Sequence, residues 1–127
     1  MDNITRRRQQ IQWAIAQNPV TVTIHRTEKI ETEGHFEEIK TQAGPFSVRI
    51  FPKGQRYPKE VSDIAGTKQI DEGWGLLADY QADIKAGPNV LDEFEVSGLG
   101  SFKITAIHPQ MVMGQIAGYQ ADIEKVV

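Results

Sequence analysis

Val20-Thr21-Val22-Thr23-Ile24-His25-Arg26, directly after Pro19, is the stretch on which the fold turns. Apolar and polar residues alternate in it. Successive side chains of an extended chain point to opposite faces, so the stretch reads as a half-buried β-strand. Strand character continues through Lys29-Ile30-Glu31-Thr32 to a turn at Glu33-Gly34, and Phe36 to Thr41 form the returning strand of a long hairpin.

Upstream, the period is helical. Asp2 or Asn3 can cap a helix over residues 1–18 in which Ile4, Ile11, Ala14 and Ile15 share one face. Asn18-Pro19 ends it, because a residue before proline is pushed out of the α region. Arg6, Arg7 and Arg8 fall in its first turns, where the helix dipole disfavours cations. Such a helix needs a surface to pack on, and one opening or edge of a sheet is the expected place.

Downstream, Gly44-Pro45 punctuates and Phe46-Ser47-Val48-Arg49-Ile50-Phe51 alternates again, with Phe46, Val48 and Ile50 on one face. Pro52–Gly75 then breaks the pattern. Rich in glycine, proline and polar residues, it reads as one long loop, with a single helical turn at Val61–Ile64, and loops of this length in small domains are usually functional or mobile. Strand signals return over Leu76–Ile84, stop at Gly87-Pro88 and resume at Glu93–Val96. Gly98-Leu99-Gly100 reads as a tight connection into Ser101–His108, where Phe102, Ile104 and Ala106 alternate with polar residues. Pro109 closes that strand, and Ile116–Val126 supplies the last one. The expectation is a mainly β single domain over 1–127. It is a small antiparallel barrel or sandwich of six or seven strands over 20–127, with an N-terminal helix and a long loop at 52–75.

Tyr80-Gln81-Ala82-Asp83-Ile84 recurs letter for letter as Tyr119-Gln120-Ala121-Asp122-Ile123. The flanks do not repeat, so the echo reads as two similar strands meeting one packing problem, as neighbours in the sheet, and not as a tandem repeat.

Composition narrows the function. The chain has 127 residues, a formal net charge of -3 and no cysteine. A thiolate metal site, a thiol nucleophile and a disulfide framework are therefore excluded. No signal peptide or apolar run of membrane-spanning length is visible, so a soluble protein with no membrane partner is expected. His25, His35 and His108 show no metal-ligand spacing, and the chain has neither a Gly-x-Ser-x-Gly nor a Walker-type loop. The pairs Asp92/Glu93 and Glu37/Glu38 are sequence neighbours on strands and point to opposite faces, so neither makes an acid–base couple. The expectation is no enzyme, no cofactor and no metal.

Nucleic-acid binding by a small barrel is the rival reading. It rests on Arg6-Arg7-Arg8 and on Lys53, Arg56, Tyr57 and Lys59 in the long loop. Glu60, Asp63, Asp71 and Glu72 nearly neutralise that loop, and the acidic total argues against a general binder, leaving transient DNA contact.

The second half also carries a resemblance. Trp74–Tyr80, Ala82–Gly87, Asp92-Glu93-Phe94, Gly98–Ile104 and Gly114–Glu124, and more loosely the run Gly44-Pro45-Phe46-Ser47-Val48-Arg49-Ile50-Phe51, resemble the small head-completion proteins of tailed phages and prophages, also called head–tail connectors or stoppers. The resemblance implies a β-barrel subunit, made in the bacterial cytoplasm, that assembles as a homo-oligomeric ring at the head–tail junction of the virion. It can be a monomer in isolation. Its implied partners are portal or adaptor and tail proteins, and its task is to join the packaged capsid to the tail and help retain DNA. By that likeness Lys53, Arg56, Tyr57, Lys59, Glu60 and Asp63 belong to a channel or interface loop, while Arg6, Arg7, Arg8 and Trp13 make subunit contacts. A tail-completion or minor tail protein is the neighbouring alternative.

Overall fold

The structure is a computed structural model that describes residues 2–53 and 73–126. A helix, α1 (Asn3–Gln17), precedes six strands: β1 (Val20–Thr32), β2 (His35–Pro52), β3 (Trp74–Asp79), β4 (Val90–Val96), β5 (Gly100–Val112) and β6 (Gln115–Lys125). They close into a barrel in the order β1-β2-β3-β6-β5-β4, antiparallel at every junction. The expected small barrel with an N-terminal helix is what the chain forms.

The inward residues fill the barrel. Val22, Ile24, Val48, Ile50, Leu76, Ala78, Phe94, Phe102, Ile104 and Ile123 are all buried. Phe94 and Phe102 face each other across β4 and β5 and stack with centroids 5.7 Å apart, while Trp74 meets the edge of Phe102 at 5.6 Å.

Two expected breaks lie inside strands instead. Gly44-Pro45 does not end a strand. β2 runs straight through it, and the register with β1 slips by one residue between Val22 and Ile24, leaving the extra residue on β2. Gly44, at φ +105°, supplies the conformation, and β2 has no β3 partner before Arg49, so the N–H that Pro45 lacks is missing from an edge. Pro109 likewise lies inside β5, paired with Tyr119. β4 reaches only to Lys103, so a missing N–H is tolerated there too. A bulge between Ile104 and Ala106 also reverses the alternation, so Ile107, and not Ala106, packs against the core.

The first copy of the repeated pentapeptide is corrected as well. β3 ends at Asp79, and Tyr80–Ile84 form a turn and irregular chain, whereas Tyr119–Ile123 belong to β6. Both copies keep the same sidedness, with Ala82 and Ile84 buried like Ala121 and Ile123. The letters encode an inside and an outside, and the hydrogen-bonding neighbours decide whether a strand results.

α1 begins where Asp2 accepts the Thr5 N–H at 2.9 Å, and it buries Ile4, Ile11 and Ile15. It covers no opening. It lies across the barrel wall, on Leu77, Ala117 and Val112, with the Arg49 guanidinium donating to the Ala14 carbonyl at 3.0 Å. Gly118 permits the close approach: a Cβ there would sit 2.7 Å from Ile11 Cδ1 and 2.9 Å from the Ala78 carbonyl oxygen.

Antiparallel closure sorts the connections onto two ends. The Lys53–Gly73 link, the β4–β5 turn and the chain's last residues leave from one end. The β1–β2 turn, the β3–β4 connection and the β5–β6 turn lie at the other. The two hairpin turns carry positive φ at both central residues, Glu33-Gly34 and Met113-Gly114, as two-residue hairpins require.

Candidate functional site

At the loop end, β2 runs out at Pro52 and β3 begins at Trp74, so the ends of the expected 52–75 loop belong to strands. The Lys53 N–H donates to the Gly73 carbonyl at 2.8 Å and closes the base. Lys53 Nζ pairs with the Asp122 carboxylate on β6, and His108 Nε2 lies 3.1 Å from the other oxygen of that carboxylate. Lys53, followed by His108, holds the Asp122 carboxyl below its ordinary value. Beside this trio lies a groove of about 510 Å³ lined by Trp74, Thr105, Glu124 and Lys125, with Lys125 Nζ 5.9 Å from the Trp74 ring. Among the described residues, two lysines stand against Asp122 and Glu124 with no basic excess, which does not suit a phosphate-tracking surface. Arg56, Tyr57, Lys59, Glu60 and Asp63, like the Val61–Ile64 turn, lie outside the described residues.

The other end is built differently. β4 pairs with β1 only up to Glu28, and β2 pairs with β3 only from Arg49. Residues 29–40 therefore project as a two-stranded arm that is exposed throughout. Register places Ile30 and Ile39 on the arm face that continues the barrel interior, and Phe36, 64% exposed, on the opposite face beside Glu31 and Glu38. Met111 and Met113, the latter 81% exposed, mark the neighbouring β5–β6 hairpin.

Beneath the arm sits a charged clasp. Arg26 and Asp92 are direct cross-strand partners inside the barrel, joined by two bonds at 2.8 and 3.0 Å, and Asp92 is fully buried. Arg26 also binds the Asp83 carboxylate and carbonyl at 3.1 Å each, and Asp92 accepts the Lys85 N–H at 2.7 Å. The β3–β4 connection is thereby tied across the barrel end. Hydrogen bonding to Asp92, joined by Asp83, outweighs the lowering effect of burial and raises the Arg26 guanidinium above its already high ordinary value. Sequence reading passed over this clasp, although Arg26 follows Val22 and Ile24 in the inward register.

Of the four residues assigned to subunit contact, Arg8 is engaged within the chain. Its guanidinium donates twice to the Ile116 carbonyl, at 3.0 and 2.9 Å, and stacks 3.8 Å over Tyr80. Arg7 reaches Gln110 at 2.8 Å. The Arg6 guanidinium has no hydrogen-bond or ion-pair partner among the described residues, and Trp13 is 66% exposed. The two share the outer face of α1 with Gln9 and Gln10 around a shallow depression of about 570 Å³.

Among the described residues no group of three or more His, Asp or Glu side chains is placed to hold a metal. No described helix is long and apolar enough to cross a membrane. No protein-family model, curated protein or solved structure matches this chain.

Proposed function

We propose that this protein is a structural head–tail connector of a tailed phage or prophage, a ring subunit that joins the packaged head to the tail and helps retain DNA. The observation that carries the reading is the separation of two unlike ends on one closed barrel. One end bears the loop base at Lys53 and Gly73, and the opposite end bears the exposed arm and the methionine-bearing hairpin. A joint between two partners needs two faces on a stiff body, and a closed sheet supplies that stiffness. The strand-and-turn pattern of the second half, which resembles head-completion proteins, points the same way.

The test is removal of the gene from an inducible prophage or phage that carries it. The reading predicts normally packaged heads that leak DNA, free tails, and infectivity restored by the gene supplied in trans. Unchanged yields of infectious particles, with no protein in purified virions, would contradict it.

A further inference from the structure

We infer that the acidic arm of one copy docks on the basic outer face of α1 of a second copy. The arm, residues 29–40, carries Glu31, Glu33, Glu37 and Glu38 against Lys29 and Lys40, and Phe36 stands clear of its surface. The outer face of α1 is its complement. The helix contains three arginines and no carboxylate, and Arg6, Arg7 and exposed Trp13 rim the depression described above.

Two observations favour a second copy as the occupant. The first is charge: the chain bears both an acidic projection with an aromatic residue and a basic hollow with one, and unlike fields steer such faces together. The second is local conflict. Arg6 and Arg7 stand in the first turns of α1, where cations oppose the helix dipole, and the one carboxylate at that end, the Asp2 cap, is already accepting the Thr5 N–H. Carboxylates arriving from outside relieve that conflict. The chain's own arm does not supply them: α1 packs on β2, β3, β5 and β6, and among the described residues no arm carboxylate pairs with a helix arginine.

Because the two faces differ, their pairing can repeat from copy to copy, and a fixed rotation between copies closes it into a ring. This deepens the connector reading and rests on it only for closure; the pairing stands on the two surfaces alone.

The experiment is a concentration series of the full chain by heteronuclear NMR at low salt, extended to millimolar protein. The amides of Glu31–Glu38 and the Trp13 indole N–H should shift together with concentration, and added salt should reverse the shifts. Glu37→Lys with Glu38→Lys, and separately Arg6→Glu with Arg7→Glu, should each weaken self-association at least about tenfold. An equimolar mixture of the two variants should associate again, because each then offers a complementary face to the other. The substituted positions are exposed, and unchanged circular dichroism establishes that the variants fold. Concentration-independent spectra, shifts confined to other residues, or variants that associate like the parent would overturn the pairing. That failure beside an intact particle phenotype would remove these faces and leave the connector reading standing. The converse result would remove the connector and keep the pairing.

Discussion

Arg26 occupies a register position that the alternation after Pro19 reserves for an inward side chain, and the barrel accommodates its charge only because Asp92 stands directly opposite and Asp83 folds over from the β3–β4 connection. Leaving either member of a buried pair alone is costly, whereas replacing both by apolar groups often is not. Asp92→Asn or Arg26→Ala should therefore lower unfolding stability by about 3–5 kcal/mol, and Arg26→Met with Asp92→Leu should recover most of the loss. Chemical denaturation checks both, and a double variant no more stable than the single ones would show that the clasp is more than a buried pair. The inward position of Arg26 was legible in the sequence. Its partners were not, because Asp83 and Asp92 are distant along the chain and only barrel closure brings them to it. The same holds for Asp122, whose partners Lys53 and His108 lie on other elements. The Asp122 carboxyl is lowered from 3.8, so its contribution is fully present above that value and is lost as pH falls through the lower folded-state value. The stability advantage of the parent over Asp122→Asn should be present at neutral pH and close in acid. An advantage unchanged by pH would place the effect elsewhere.

The two prolines show what periodicity can and cannot say about an element. Alternation located part of every strand, although β3 ends at Asp79 and not at Ile84, and β4 begins at Val90 and not at Glu93. Gly44-Pro45 and Pro109 looked like strand ends because proline cannot donate to a ladder. Both sit where β2 and β5 have outrun the short strands beside them, β3 and β4, and strand length relative to a neighbour is a property of the assembled sheet. The reversal at the Thr105 bulge was hidden for the same reason. The apolar stripe of α1 was legible, but its seat was not, since Gly118 reads as an ordinary glycine until Ile11 is placed against it. Gly118→Ala should lift the helix from the wall at a cost of about 1–3 kcal/mol. Thermal unfolding would measure it, and a pairing with Ile11→Ala should return part of the loss. Phe36→Ala, on the exposed arm, should change stability by no more than about 0.5 kcal/mol. A larger loss would mean that the arm packs on its own barrel.

Taken as one body, the molecule is a closed barrel whose connections divide between two opposed ends, with a helix on the wall between them. That division follows from strand order alone and is independent of any side chain. The proposed connector role uses both ends at once, one toward the head and one toward the tail. Because the chain contains no cysteine, a single one can be placed at either end without competition. Glu33→Cys marks the arm tip and Ser97→Cys marks the β4–β5 turn at the loop end, both exposed. The decisive measurement is electron microscopy of purified particles carrying one or the other cysteine labelled with gold. Both labels should lie at the head–tail junction, at different heights along the particle axis. Labels absent from the junction, or both at one height, would contradict the account.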